Sequence, residues 1–133
     1  MKLSSQLAGV AGEYFVAAEL SRRGFIASIT MRNTRGIDIL ATNSAAKRAV
    51  PIQCKSSRDR NKSWILSDKA EHFTSKNHYY VFVKLGAATE CPAHQIVLSK
   101  NVASELKDVV ELNCESEDYV VINYSAISHL ALS

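Results

Sequence analysis

The chain has 133 residues, 47% of them apolar and 22% charged, enough for one core without disulfide staples, and it reads as a single domain over residues 1–133. No run approaches the roughly 20 apolar residues that span a bilayer, and Met1-Lys2-Leu3-Ser4-Ser5 lacks the basic-then-apolar layout of a signal peptide, so a cytoplasmic protein with no membrane partner is expected. The net charge of +3 conceals two unlike halves: twelve Lys/Arg face four acids between Arg22 and Lys76, whereas two lysines face seven acids from Leu85 to Ser133.

Ser4 to Arg23 is predicted as a helix. Serine caps free N–H groups at its start, Arg22 and Arg23 suit the negative end of its dipole, and Gly24 takes the left-handed position beyond it. Phe25 to Thr30 reads as a strand, Arg32-Asn33-Thr34-Arg35 as a polar loop, and Gly36 to Ala41 as a second strand. Turn composition over residues 43–48 folds the next run, Ala49 to Lys55, back as a hairpin partner, with Pro51 near a strand start or a sheet edge. Ser56 to Ser63 is expected to be a surface loop. Trp64-Ile65-Leu66 suits either a short strand or a helix entry, and Ser67-Asp68 caps a helix to about Ser75. His78 to Leu85 is rich in aromatic and β-branched residues and is the clearest strand, followed by a turn from Gly86 to Pro92 and a strand from His94 to Leu98. Ser99 caps a helix to about Lys107, Tyr119 to Tyr124 forms a strand, and Ala126 to Leu132 is a short amphipathic piece. The expected class is α/β, or α+β: a mixed central sheet flanked by helices.

Chemistry concentrates in the first half. On a strand, residues two apart share a face, so Gln53 and Lys55 point one way while Ile52 and Cys54 point the other. By the same parity Ile37, Ile39 and Ala41 share a face, which leaves Asp38 with Leu40 on the opposite side and within reach of Gln53 and Lys55 if the strands are neighbours. On the first helix, at about 100° per residue, Glu13 lies among Gly9, Val10, Val16, Ala17 and Leu20, while Glu19 lies beside Gly12, Phe15 and Arg23. A carboxylate set among apolar neighbours calls for a cation, a metal or a hydrogen-bond donor, which singles out Glu13. Gln6 lies on the same side. Gly12 weakens the helix by about 1 kcal/mol relative to alanine, and close approach to a sheet is a reason for it.

In this order, Glu13 on a helix, Gly36-Ile37-Asp38, a hairpin, then Gln53-Cys54-Lys55 with Ser56-Ser57, the residues resemble the PD-(D/E)xK nuclease superfamily. Its restriction-endonuclease-like fold includes the archaeal Holliday junction resolvases. The resemblance covers the first half of the chain closely and the rest more loosely. It implies that Asp38 binds a divalent cation, Mg²⁺ or Mn²⁺, with the Cys54 backbone carbonyl and the Gln53 side-chain oxygen, and that Glu13 holds the metal's water shell. Lys55 would orient or deprotonate the attacking water and offset charge on the phosphate. Glu13, Asp38, Gln53 and Lys55 are then the catalytic residues of a DNA endonuclease that recognises structure or ends more than sequence. Oxygen donors suit Mg²⁺, which keeps several of its waters. Ile37 stands where the named motif has proline, and Gln53 where it usually has Glu or Asp. The amide still offers an oxygen but removes one negative charge, which lowers metal affinity.

Arg35, Arg58, Arg60 and Lys62 are placed to contact phosphates, with a solvated loop as the alternative. A homodimer, as in resolvase-like relatives, would add specificity that so short a chain lacks by itself. Two rival readings accompany the enzyme: a catalytically inactive nuclease-fold module that binds nucleic acid or a protein, and an interaction module whose acidic second half docks on a basic partner. His72, His78, His94 and His129 are scattered, and Cys54, Cys91 and Cys114 show no C-x-x-C spacing, so neither a zinc site nor a disulfide framework is indicated. Cys54 is read as a core residue, and Trp64, Tyr79 and Tyr80 suit base stacking or, as is usual for aromatics in a strand or at a helix entry, the core.

Overall fold

Helix α1 runs over Ser5–Arg22. Ser4 caps it, its hydroxyl accepting the Leu7 N–H at 3.2 Å, and Gly24 closes it at φ +89°, where Phe25 N–H bonds the Leu20 carbonyl. This comes from a computed structural model that describes residues 3–31, 36–43, 49–58, 63–67, 77–101 and 119–123. Ala8, Gly12 and Val16, four residues apart, form the buried stripe of α1, as the 3.6-residue period requires.

Strands follow at Ile26–Ile29 (β1), Ile39–Thr42 (β2), Ala49–Ser57 (β3), Ser63–Ser67 (β4), Tyr79–Lys84 (β5), Ala93–Leu98 (β6) and Tyr119–Asn123 (β7). Five of them make a mixed sheet in the order β1-β2-β3-β5-β6, in which only the β3–β5 pairing is parallel. β4 and β7 pair antiparallel in a second sheet. Helical backbone resumes at residues 99–101.

Strand alternation sorts the central sheet into two faces. Ile39, Ala41, Ile52, Val81 and Val83 are buried with Val16 of α1, and Phe15, Leu20, Cys54 and Ile96 pack against them. The approach of α1 is close enough that a Cβ on Gly12 would lie 1.8 Å from Ser56 Oγ, so this glycine is a steric requirement of the contact. The opposite face carries Gln53 beside Tyr80 and Lys55 beside Phe82. Trp64 of β4 stacks edge-on against Phe82, with centroids 5.1 Å apart, and donates its indole N–H to the Val83 carbonyl at 3.1 Å.

Two expectations change. The segment from Ser56 to Ser63 is not one loop: β3 continues through Ser57 and Ser63 opens β4. Ser56 and Ser57 stay in the ladder because β5 pairs alongside them at Val83 and Lys84, and sheet pairing overrides their weak strand propensity. Trp64-Ile65-Leu66 is strand because β7 supplies its partner. Pro51 lies inside β3, beside Leu40 of β2, but β5 joins only from Ile52 onward, so at Pro51 the strand is still an edge on that side. The expected helix over residues 68–75, the helix over 102–107 and the piece at 126–132 lie outside the described residues. Among the described residues no helix is long and apolar enough to cross a membrane.

Candidate active site

The antiparallel ladder between β2 and β3 ends at Ile39 opposite Ile52. Asp38 stands where the two strands part. Its backbone N–H bonds the Ile52 carbonyl at 2.8 Å, and its carboxylate Oδ2 accepts the Cys54 N–H at 2.7 Å. A side-chain oxygen thus takes the donor that a regular ladder would have given to the backbone, tying Gly36-Ile37-Asp38 to the middle of Gln53-Cys54-Lys55. Thr30, just past β1, supports the corner from the other side: its N–H bonds the Asp38 carbonyl at 2.9 Å and its hydroxyl bonds the Ile37 carbonyl at 2.5 Å.

Charge gathers around this junction. Burial pushes the Lys55 ammonium below its usual range, and the Asp38 carboxylate opposes that shift. The Cys54 thiol is pushed far up, first by burial and then by the negative charges of Asp38 and Glu13, so it is inert as a nucleophile and serves as packing. Tyr80 is pushed up to about 12 by burial and by Asp38. Glu13, Asp38, Cys54 and Lys55 are therefore electrostatic neighbours, although they come from α1, the start of β2 and the middle of β3. Gln53 lies between Ile52 and Cys54, with its side chain on the Lys55 face, in register with Tyr80. Glu19, the other acid of α1, is engaged by Arg22 at 3.0 Å and Arg23 at 3.6 Å on its own helix. Gln6 is exposed at the start of α1.

These donors fit a hard, strongly hydrated cation. Asp38, Glu13, the Gln53 amide and the Cys54 carbonyl offer oxygen alone, and among the described residues no group of three or more His, Cys, Asp or Glu side chains is set to cage an ion. Of the residues expected to meet phosphates, Arg58 directs Nη1 to the Leu3 carbonyl at 2.7 Å, bracing the entry to α1 against the end of β3. Arg35, Arg60 and Lys62 lie outside the described residues.

One neighbour of the site was not legible in the sequence. His78, classed there among scattered histidines, is 1% exposed at the entry to β5, with its ring nitrogens on Ser99 Oγ and on the Gly36 carbonyl. Burial pushes its pKa down, against the Gly36 hydrogen bond and the Asp38 charge. Its partners lie 21 and 42 residues away, so no local pattern signals them.

Among solved structures the chain is similar to Hjc, a Holliday junction resolvase from the archaeal hyperthermophile Archaeoglobus fulgidus. The TM-score is 0.55 at 19% sequence identity, over 93% of this chain and 89% of that one. The fold is restriction-endonuclease-like. A second likeness is to the bacterial homing endonuclease I-Ssp6803I, with a TM-score of 0.49 at 8% identity over 90% of this chain and 75% of that one. No family model matches the sequence, and no curated protein matches it.

Proposed function

We propose that this chain is a metal-dependent endonuclease-like protein that hydrolyses phosphodiester bonds of DNA. The observation that carries the reading is the 2.7 Å hydrogen bond from Cys54 N–H to Asp38 Oδ2, which joins the two halves of the motif at the point where the sheet opens. Asp38, the Gln53 amide oxygen and the Cys54 carbonyl would hold Mg²⁺ or Mn²⁺, with Glu13 on its water shell. A bound divalent ion supplies Lewis-acid stabilisation of charge developing on the phosphate. Lys55, within electrostatic reach of Asp38, orients the attacking water and neutralises the pentavalent oxyanion as it forms. Arg35, Arg60 and Lys62 would position the DNA backbone, whereas Arg58 Nη1 is engaged by the Leu3 carbonyl. Because the solved neighbour with the same fold is named a Holliday junction resolvase, branched DNA is the first substrate to test.

The competing reading, a nuclease fold that binds without cutting, draws on one residue: Gln53 brings no charge where a third carboxylate would strengthen the ion's hold. Purified protein with Mg²⁺ or Mn²⁺ is expected to nick branched or linear DNA, and Asp38→Asn or Lys55→Ala to lower the rate by at least about a hundredfold. Cleavage that survives both substitutions overturns the proposal. Salt-sensitive binding with no cleavage selects the silent module.

A further inference from the structure

The loop corner that presents Asp38 is anchored from a distance. Gly36 enters it at φ +67°, a conformation glycine adopts without strain. Ile37 and Asp38 are tied through Thr30, Ile52 and Cys54, all on the β1–β2–β3 side. The Gly36 carbonyl is tied from the other direction, by His78 Nε2 at the mouth of β5.

We propose that His78 is a positioning residue for the Asp38 carboxylate, a role that rests on the nuclease reading for its consequence but not for its test. A carbonyl only accepts, so Nε2 carries the proton, and in the neutral ring Nδ1 then accepts from the Ser99 hydroxyl. The Ser99 partner of the ring is fixed: Ser99 is fully buried, and its N–H bonds the His78 carbonyl at 3.0 Å. Tyr80 closes the ring's face edge-on, with centroids 5.6 Å apart. The imidazole therefore has one tautomer and one orientation, and it transmits the rigid position of β5 to the segment that carries the acid. Nothing in this arrangement requires His78 to touch substrate. Supports of this kind, one shell behind a metal-binding carboxylate, change metal affinity or activity by about 10–100-fold when removed.

Two substitutions separate the ring's contacts. In His78→Gln the amide nitrogen takes the place of Nε2 and keeps the Gly36 bond, whereas in His78→Asn the amide reaches only as far as Nδ1 and keeps Ser99 alone. The primary readout is hydrogen exchange of the Cys54 amide, whose acceptor is the Asp38 carboxylate itself. We expect Asn to speed that exchange by about tenfold or more while Val81 and Val83 in β5 stay protected, and Gln to leave it near the parent rate. Mn²⁺ affinity by calorimetry is expected to fall in the same order. Equal Cys54 exchange in the two variants, or exchange that rises across β5 to the same extent, overturns the proposal, because His78 would then be a core residue only. If Cys54 exchange separates the variants yet no DNA is cut by any form, the positioning role holds and the nuclease reading fails.

Discussion

Gln53 is the residue on which the proposed chemistry turns. The charges of Asp38 and Glu13 both reach Cys54 and that of Asp38 reaches Lys55, and in the proposed site Gln53 would add an oxygen without adding charge. Gln53→Glu is expected to tighten Mn²⁺ or Mg²⁺ binding by about tenfold, worth about 1.4 kcal/mol, measured by calorimetry at constant ionic strength. Unchanged affinity would place Gln53 outside the ion's reach. Asp38→Asn makes the complementary test: its amide oxygen still accepts the Cys54 N–H, so the thermal midpoint should hardly move while metal binding is lost. Strand parity had already put Gln53 and Lys55 on one face, and the helical wheel had separated Glu13 from Glu19. Neither pattern could reveal that Asp38 would take a ladder N–H for itself, because that depends on where the two strands stop pairing.

At the scale of elements, the meeting of α1 with β3 sets the position of Glu13. A methyl group at Gly12 would collide with Ser56 Oγ at 1.8 Å and press on Ser56 Cβ at 3.1 Å. Gly12→Ala should therefore destabilise the fold by about 1–3 kcal/mol in spite of alanine's better helix propensity. Ser56 Oγ is buried with no hydrogen-bond partner among the described residues, so Ser56→Ala alone should be neutral or slightly stabilising. In the double variant much of the Gly12→Ala penalty should vanish, a coupling of about 1 kcal/mol or more in urea unfolding. Additive effects would mean that the helix simply shifts outward. The sequence offered a reason for Gly12, close approach to a sheet, but not the residue on the other side.

For the whole molecule, the basic stretch from Arg22 to Lys76 contains both the acid-bearing corner and the Lys55 strand. DNA affinity should fall with salt, each phosphate contact adding about 0.9 to the slope of log K against log salt. Arg60→Gln with Lys62→Gln should lower that slope by about 1.8, an effect absent if those side chains lie in solvent. Stability should respond to acid through His78. Its folded pKa lies below the ordinary 6.5, so below that pH the unfolded chain binds a proton that the folded chain refuses. The contribution is full above about pH 6.5 and falls by up to about 1.4 kcal/mol per pH unit as pH drops toward the folded value. Denaturant midpoints at neutral and mildly acidic pH check this, and His78→Gln should flatten the difference. Periodicity, capping and the order of the motif residues were local properties, and they determined α1, the β2–β3 hairpin, the faces of β3 and the mixed-sheet class. The continuation of β3 through two serines, the pairing of β4 with β7, Arg58 on the Leu3 carbonyl and His78 on the Asp38 corner were decided only by the tertiary structure, because each depends on a partner far away in the chain that sequence spacing does not encode.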